Sequence, residues 1–205
     1  MDWNKKINLV SRKDEGYIWK GHTALSLSIL FMVEFRPGIR ILDLGTGGGF
    51  PGIPLSILLP KCSFVLMDST QKKISAVQSM VESLGLANVK TVWGRAEELN
   101  HKPQFHHSFD AIVVRSVSNF SNLLAWGLPF LKRWKVLEPF QRLSGEKISI
   151  TTPSLITFKG AEIEEEEKLA LQQFPNIHLQ SVPLVFPGSE EFANQDKKFV
   201  IATMK

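Results

Sequence analysis

One cysteine and one tyrosine in 205 residues set the first limits on this chain. Cys62 has no second cysteine for an internal disulfide and no His or Cys neighbours at metal-ligand spacing, so neither a stapled scaffold nor a structural zinc is expected. Long apolar runs are scarce as well. The longest, residues 25–35, is broken by serines and falls far short of the ~20 residues of a membrane-spanning helix. No basic start leads into an apolar signal core, which sets the expectation of a soluble, cytoplasmic protein without membrane attachment. Repeats and low-complexity tracts are missing too. A formal charge of +4, from 24 basic and 20 acidic residues, is compatible with a polyanionic partner but too small to argue for one alone. With 43% hydrophobic residues, the chain has enough apolar material for one α/β domain with a real core.

The stretch around which the chain is organised is residues 39–54, IRILDLGTGGGFPGIP. Arg40 to Leu44 reads as a short buried strand, and Gly45, Gly47, Gly48 and Gly49 follow before an apolar helical segment resumes. Glycines here let the backbone come close to a ligand and adopt turn angles that other residues resist. A dinucleotide fingerprint would place Gly or Ala where Phe50 stands, so the spacing points away from a bound pyrophosphate. Phe64 to Asp68 is a second strand ending in an acid, near the ~20-residue distance of a ribose-binding carboxylate.

Around this centre the pattern alternates strands with helices. A helix is predicted over residues 22–35, stopped by Pro37 and Gly38, and as it precedes the first strand it is expected to act as a lid over the sheet's ligand edge. Ser69 or Thr70 caps a helix whose apolar residues Ile74, Val77, Val81 and Leu84 recur at helical spacing. Strands are predicted at 89–93, 109–114, 154–160, 178–186 and 198–204, the last two as an antiparallel pair, with helices at 122–131 and 162–174. The glutamate run 162–167 reads as a solvated helix face. Residues 133–152 resist assignment beyond a β-prone segment at 147–150. Two readings stand for several residues: His22 as a cap or a substrate contact, Trp3 as an anchor or a stacking platform, Arg95 and Glu97 as an adenine-side loop or a surface ion pair. Arg115, which follows the fourth strand with Ser116, Val117 and Ser118, either lies at the chemistry or ties down a loop.

An acid followed by G-x-G-x-G at the end of the first strand resembles motif I of class I S-adenosylmethionine (SAM) methyltransferases. More specifically, the chain resembles the RsmG (GidB) family of bacterial small-subunit ribosomal RNA methyltransferases. The resemblance is carried by Trp3-Asn4-Lys5 with Asn8-Leu9, His22, the run Asp43 to Pro54, Asp68-Ser69 with Lys72, Arg95-Ala96-Glu97, Arg115 and Lys159-Gly160. Gly49-Phe50-Pro51-Gly52-Ile53-Pro54 is its most specific part, since generic methyltransferases lack this proline-bounded continuation. Leu25 stands where similar proteins carry aspartate, residues 133–153 replace a brief turn, and Lys197 replaces an arginine.

The resemblance implies a Rossmann-like class I fold with a mostly parallel sheet and an antiparallel C-terminal strand. Residues 1–38 would form a helical extension and 39–205 the methyltransferase domain. It implies SAM as cofactor, no metal, ribosomal RNA or the small subunit as partner, a monomer, and methyl transfer to N7 of a guanine in 16S ribosomal RNA. SAM would be held by Asp43, Gly45, Thr46, Gly47, Gly49, Phe50, Asp68, Ser69, Ala96, Glu97 and Arg115. Arg115 and Lys159 would serve the chemistry, with His22, Arg115, Lys159 and Lys197 facing RNA. The motif alone also permits another RNA, a protein or a small molecule as acceptor, and a non-catalytic or nicotinamide-binding module is the rival of a different class.

Overall fold

The computed structural model describes residues 4, 7, 9–10, 16–115, 117–133, 147–149, 153–160, 163–186, 188–190 and 197–205. Trp3, Asn8, Ser116 and most of 133–153 lie outside the described residues.

Strand formation follows from β-prone runs that are apolar on both faces. β2 (Arg40–Leu44), β3 (Ser63–Asp68), β4 (Val89–Trp93), β5 (Ala111–Arg115) and β7 (Ser154–Lys159) pair in parallel, and β8 (Ile177–Pro183) and β9 (Lys198–Met204) complete the sheet. The order is β4-β3-β2-β5-β7-β9-β8, with β9 antiparallel to both neighbours. Alternate residues feed two cores. Ile41, Phe64, Leu66, Val113 and Ile156 enter one, while Leu42, Val65, Met67, Ile112 and Leu155 enter the other.

Helices cover both faces. α1 (Leu25–Met32), α2 (Gly52–Leu58) and α3 (Gln71–Ser83) supply Ile29, Leu55 and Val77 to the first core; α5 (Phe120–Gly127) and α6 (Glu164–Gln173) supply Leu124 and Ala170 to the second. The short α4 (Ala96–Leu99) occupies what reads from the sequence as a turn. This is the doubly wound class I methyltransferase arrangement expected from the sequence, and its strand order reverses between β2 and β5, where ligands settle at the carboxyl ends of such sheets. Among the described residues no helix is long and apolar enough to cross a membrane.

Several boundaries differ from expectation, among them the end of α5 at Gly127 rather than 131 and that of β8 at Pro183 rather than 186. The first helical region starts earlier, with a wide π-helical turn at Ile18–Ala24, and α1 stops at Met32 because Val33–Glu34 (β1) pairs in parallel with Ile148–Ser149 (β6). Its serines are satisfied internally: Ser26 donates to the His22 carbonyl and Ser28 to that of Leu25, each at 2.6 Å, so both can be buried in an apolar run. α5 begins at Phe120 rather than 122, since the Asn119 side chain accepts the Asn122 N–H at 2.9 Å as a cap. Residue Cys62 is buried, donating its thiol to the Arg36 carbonyl at 3.4 Å.

Candidate active site

The carboxyl end of β2 leads into the glycine turn, and that turn is fixed by its own amides. Gly45 and Thr46 both donate to the Met67 carbonyl, at 2.8 and 2.9 Å, which ties the turn to the end of β3. Gly45 has φ of +76° and a side chain there would fall 2.5 Å from Val117, so both backbone angle and space require glycine. Beneath the turn Asp43 is fully buried. Its Oδ2 accepts from Thr46 Oγ1 at 2.6 Å and from the Gly52 N–H at 2.8 Å, joining strand, turn and the start of α2. The Gly52 Cα approaches this carboxylate so closely that an added Cβ would lie 2.5 Å from Oδ2. Burial raises the Asp43 pKa to about 7, opposed by the bonds from Thr46 and Gly52 and by Arg115.

Asp68, at the end of β3, is nearly buried and accepts the Gly47 N–H on Oδ2 at 2.9 Å and the Thr70 N–H on Oδ1 at 2.8 Å. A carboxylate offers about four acceptor sites, so two amides leave capacity for a pair of ligand hydroxyls. Thr70 sits at the predicted cap of α3 but makes no side-chain cap bond; Asp68 meets its amide instead.

A cavity of about 760 Å³ opens above these groups. Of the expected cofactor residues, Gly45, Thr46, Gly47, Phe50, Asp68, Ser69 and Arg115 line it. Asp43 and Gly49 do not; strand alternation turns Asp43 toward α2, beneath the cavity floor. Ala96 and Glu97 are also absent from the lining, because α4 turns Ala96 into the core and Glu97 pairs with Arg95 at 3.8 Å on the surface.

All four residues expected to face RNA, His22, Arg115, Lys159 and Lys197, reach the cavity wall. Arg115 donates Nη1 to the His22 carbonyl at 3.2 Å and Nη2 to His22 Nδ1, with its guanidinium 5.3 Å from the Phe50 ring centre. A guanidinium only donates, so His22 Nδ1 is the acceptor and the imidazole bears its proton on Nε2. The Lys159 ammonium, expected to serve the chemistry and face RNA, pairs with Glu166 Oε2 at 2.6 Å and donates to the Ser118 carbonyl at 3.4 Å. The same Glu166 oxygen accepts the Phe120 N–H at 3.2 Å, so this cluster fastens the loop between β5 and α5, whose Val117 lies over Gly45.

The wall also includes Leu9, Val10, Tyr17, Lys20, Gly21, Leu25, Gly48, Thr70, Lys73, Val117, Phe158 and Gly160, none of them named from the sequence as site residues. The basic residues Lys20, Lys73 and Lys197 share this wall, and Asp68 is the carboxylate among the described lining residues. The arrangement leaves acceptor positions of Asp68 beside the glycine turn and sets several basic side chains on the same cavity wall.

Comparison with known proteins agrees with this geometry. Among solved structures the fold resembles a SAM dependent methyltransferase from Aquifex aeolicus, with TM-score 0.61 and 19% identity over 100% of this chain and 98% of that one. TrmN from Thermus thermophilus superimposes with TM-score 0.59 at 17% identity, over 89% of this chain and 49% of that one. In sequence, a Ribosomal RNA small subunit methyltransferase G from Flavobacterium johnsoniae is 36% identical over 204 residues, covering 100% of this chain and 86% of the relative. Its namesake from Cytophaga hutchinsonii is 38% identical over 165 residues, covering 80% of this chain and 71% of the relative. The profile of the GidB family, rRNA small subunit methyltransferase G, matches residues 1–137, and this chain belongs to that family.

Proposed function

We propose that the protein transfers a methyl group from SAM to N7 of a guanine in 16S ribosomal RNA. The observation that carries the proposal is the single cavity wall that joins the Gly45–Gly48 turn and Asp68 to the basic side chains Lys20, Lys73 and Lys197. SAM supplies an electrophilic methyl group, and the purine N7 lone pair forms the new carbon–nitrogen bond as the carbon–sulfur bond breaks. N7 carries no proton, so this acceptor requires no general base.

The protein's work is therefore placement, for which well-oriented reactants lower barriers by ~7–11 kcal/mol. Asp68 orients the ribose hydroxyls through the acceptor sites left by Gly47 and Thr70. Asp43 acts one layer below, holding Thr46 and Gly52 so that the turn keeps its shape. Arg115 and His22 lock the Ile18–Ala24 turn onto the end of β5. Lys159 positions the loop that bears Val117. Lys197 remains on the acceptor side, where a monomeric enzyme would meet phosphate.

Labelled methyl transfer from SAM into purified 16S RNA, small subunits and protein tests the reading. The expected product is RNA that breaks at one guanine after reduction and amine treatment, because N7 alkylation weakens the imidazole ring. Methylated RNA resistant to this cleavage would overturn the N7 assignment, and label confined to protein would overturn the RNA acceptor.

A further inference from the structure

Tyr17, the sole tyrosine of the chain, stands on the cavity wall with 57% of its surface exposed. Among the described residues its ring and hydroxyl have no hydrogen-bond, ion-pair or ring partner. Isolated exposed aromatics are common on protein surfaces, so exposure alone carries little. Three further features distinguish this one. Gly21, one turn on, lines the same wall and has no side chain to cover the ring; a Cβ there would sit 3.6 Å from Tyr17 Cβ. The π-helical turn that starts at Ile18 is anchored by Arg115 through both the carbonyl and the ring of His22, so the aromatic adjoins a fixed element. Lys20 and Lys197 line the same cavity.

A ligand that complements this wall has a flat aromatic face and negative charge together. SAM has the flat face but carries net positive charge, and its expected carboxylate partner, Asp68, ends β3. The RNA acceptor has both. Resting on the reading of the chain as an RNA methyltransferase, we infer that Tyr17 is the stacking face for the base of an unpaired RNA nucleotide, with Lys20 and Lys197 meeting its phosphates. A base must leave its helix before its ring can enter a cavity, and base-on-aromatic stacking stabilises an unpaired nucleotide without reading its sequence.

One tyrosine makes the test direct. Protein grown with 3-fluorotyrosine carries one tyrosine-derived fluorine resonance. That resonance should move on addition of a short unpaired guanine-containing RNA and stay in place with S-adenosylhomocysteine alone. Tyr17→Leu should raise the KM for RNA about tenfold or more, the loss expected for one stacked base. Tyr17→Phe should preserve it, and both variants should bind S-adenosylhomocysteine as the parent does. A resonance that moves with S-adenosylhomocysteine alone, or does not move with RNA, overturns the inference; so does a wild-type KM in Tyr17→Leu. Should Tyr17→Leu fail to fold, the fluorine measurement on the intact sequence still decides. Absence of methyl transfer to any RNA by the wild-type protein would instead overturn the underlying reading, which separates the two failures.

Discussion

The two sides of the cavity are built differently. On the cofactor side, the Gly45–Gly52 segment, Asp43 and Asp68 are bound to one another by backbone amides and buried carboxylates, leaving no room for a side chain at Gly45, Gly49 or Gly52. On the acceptor side, Tyr17 and Lys20 are exposed, and Gly160 has nothing within 4 Å of where a Cβ would stand. On the proposed reading, a small ligand of fixed shape would be met by closely packed backbone and a large polyanion by exposed side chains.

Paired glycine substitutions give the sharpest contrast and the largest expected effect. Gly52→Ala places a methyl 2.5 Å from Asp43 Oδ2 and 2.9 Å from the Leu66 side chain, inside a buried contact. It should cost about 3 kcal/mol or prevent folding, read as a shift in the denaturation midpoint. Gly160→Ala meets open space and should stay within about 0.5 kcal/mol of the parent. Equal losses at the two positions would erase the distinction between the sides.

Asp68→Asn comes next. The amide cannot accept at both positions where Gly47 and Thr70 now donate, so the site loses a bond as well as its charge. SAM affinity measured by calorimetry should fall by ~1–3 kcal/mol, while RNA affinity stays near that of the parent. Unchanged SAM binding would remove Asp68 from the site.

pH sets a smaller effect with a definite sign. The folded Asp43 pKa of about 7 lies above its ordinary value of 3.8, so the folded state keeps a proton that the unfolded chain releases. Its favourable contribution is full below pH 3.8, declines as pH rises to about 7 and is flat beyond. Asp43→Asn should flatten that part of the stability profile. A cationic ligand prefers the ionised acid, so SAM affinity should rise from pH 6 to pH 8, by about tenfold at most.

Lys159 carries the smallest expected change. If it fastens the Val117 loop, Lys159→Ala should destabilise by ~1 kcal/mol, Glu166→Gln should reproduce part of the loss, and the salt dependence of RNA binding should be unchanged. A reduced salt slope in Lys159→Ala alone would restore it to the phosphate side.

The glycine turn was legible in the sequence because its residues are tied to one another over short spacings, although Ala96 and Glu97, expected beside it, do not reach the cavity. Gly45, Gly52, Asp43 and Asp68 are constrained by their neighbours in the chain, so their spacing records their geometry. Strands β2, β3 and β5 announced themselves as apolar runs, since burial on both faces leaves no alternation to misread. The acceptor side depends on distant pairings that local spacing does not encode. Tyr17 and Lys20 reach the cavity because Arg115, far along the chain, holds His22. α1 ends where it does because Val33 meets Ile148. The glutamate run read as a solvated face contains Glu166, whose partner Lys159 comes from the neighbouring strand, and Glu167, which accepts from Ser181 at 2.6 Å.

The reversed strand β9 ties this division to the order of synthesis. It is made after β7 and β8 yet lies between them, so until Lys198–Met204 emerges both of those strands present an unpaired edge. The glycine turn, by contrast, sits among β2, β3 and β5, all translated earlier. A nascent chain stalled before residue 198 would thus hold the strands of the cofactor side while β7, which ends in Lys159, waits for its neighbour. Translation itself leaves β7 and β8 unpaired along these edges until its end, and that interval is the period of greatest exposure to misassociation.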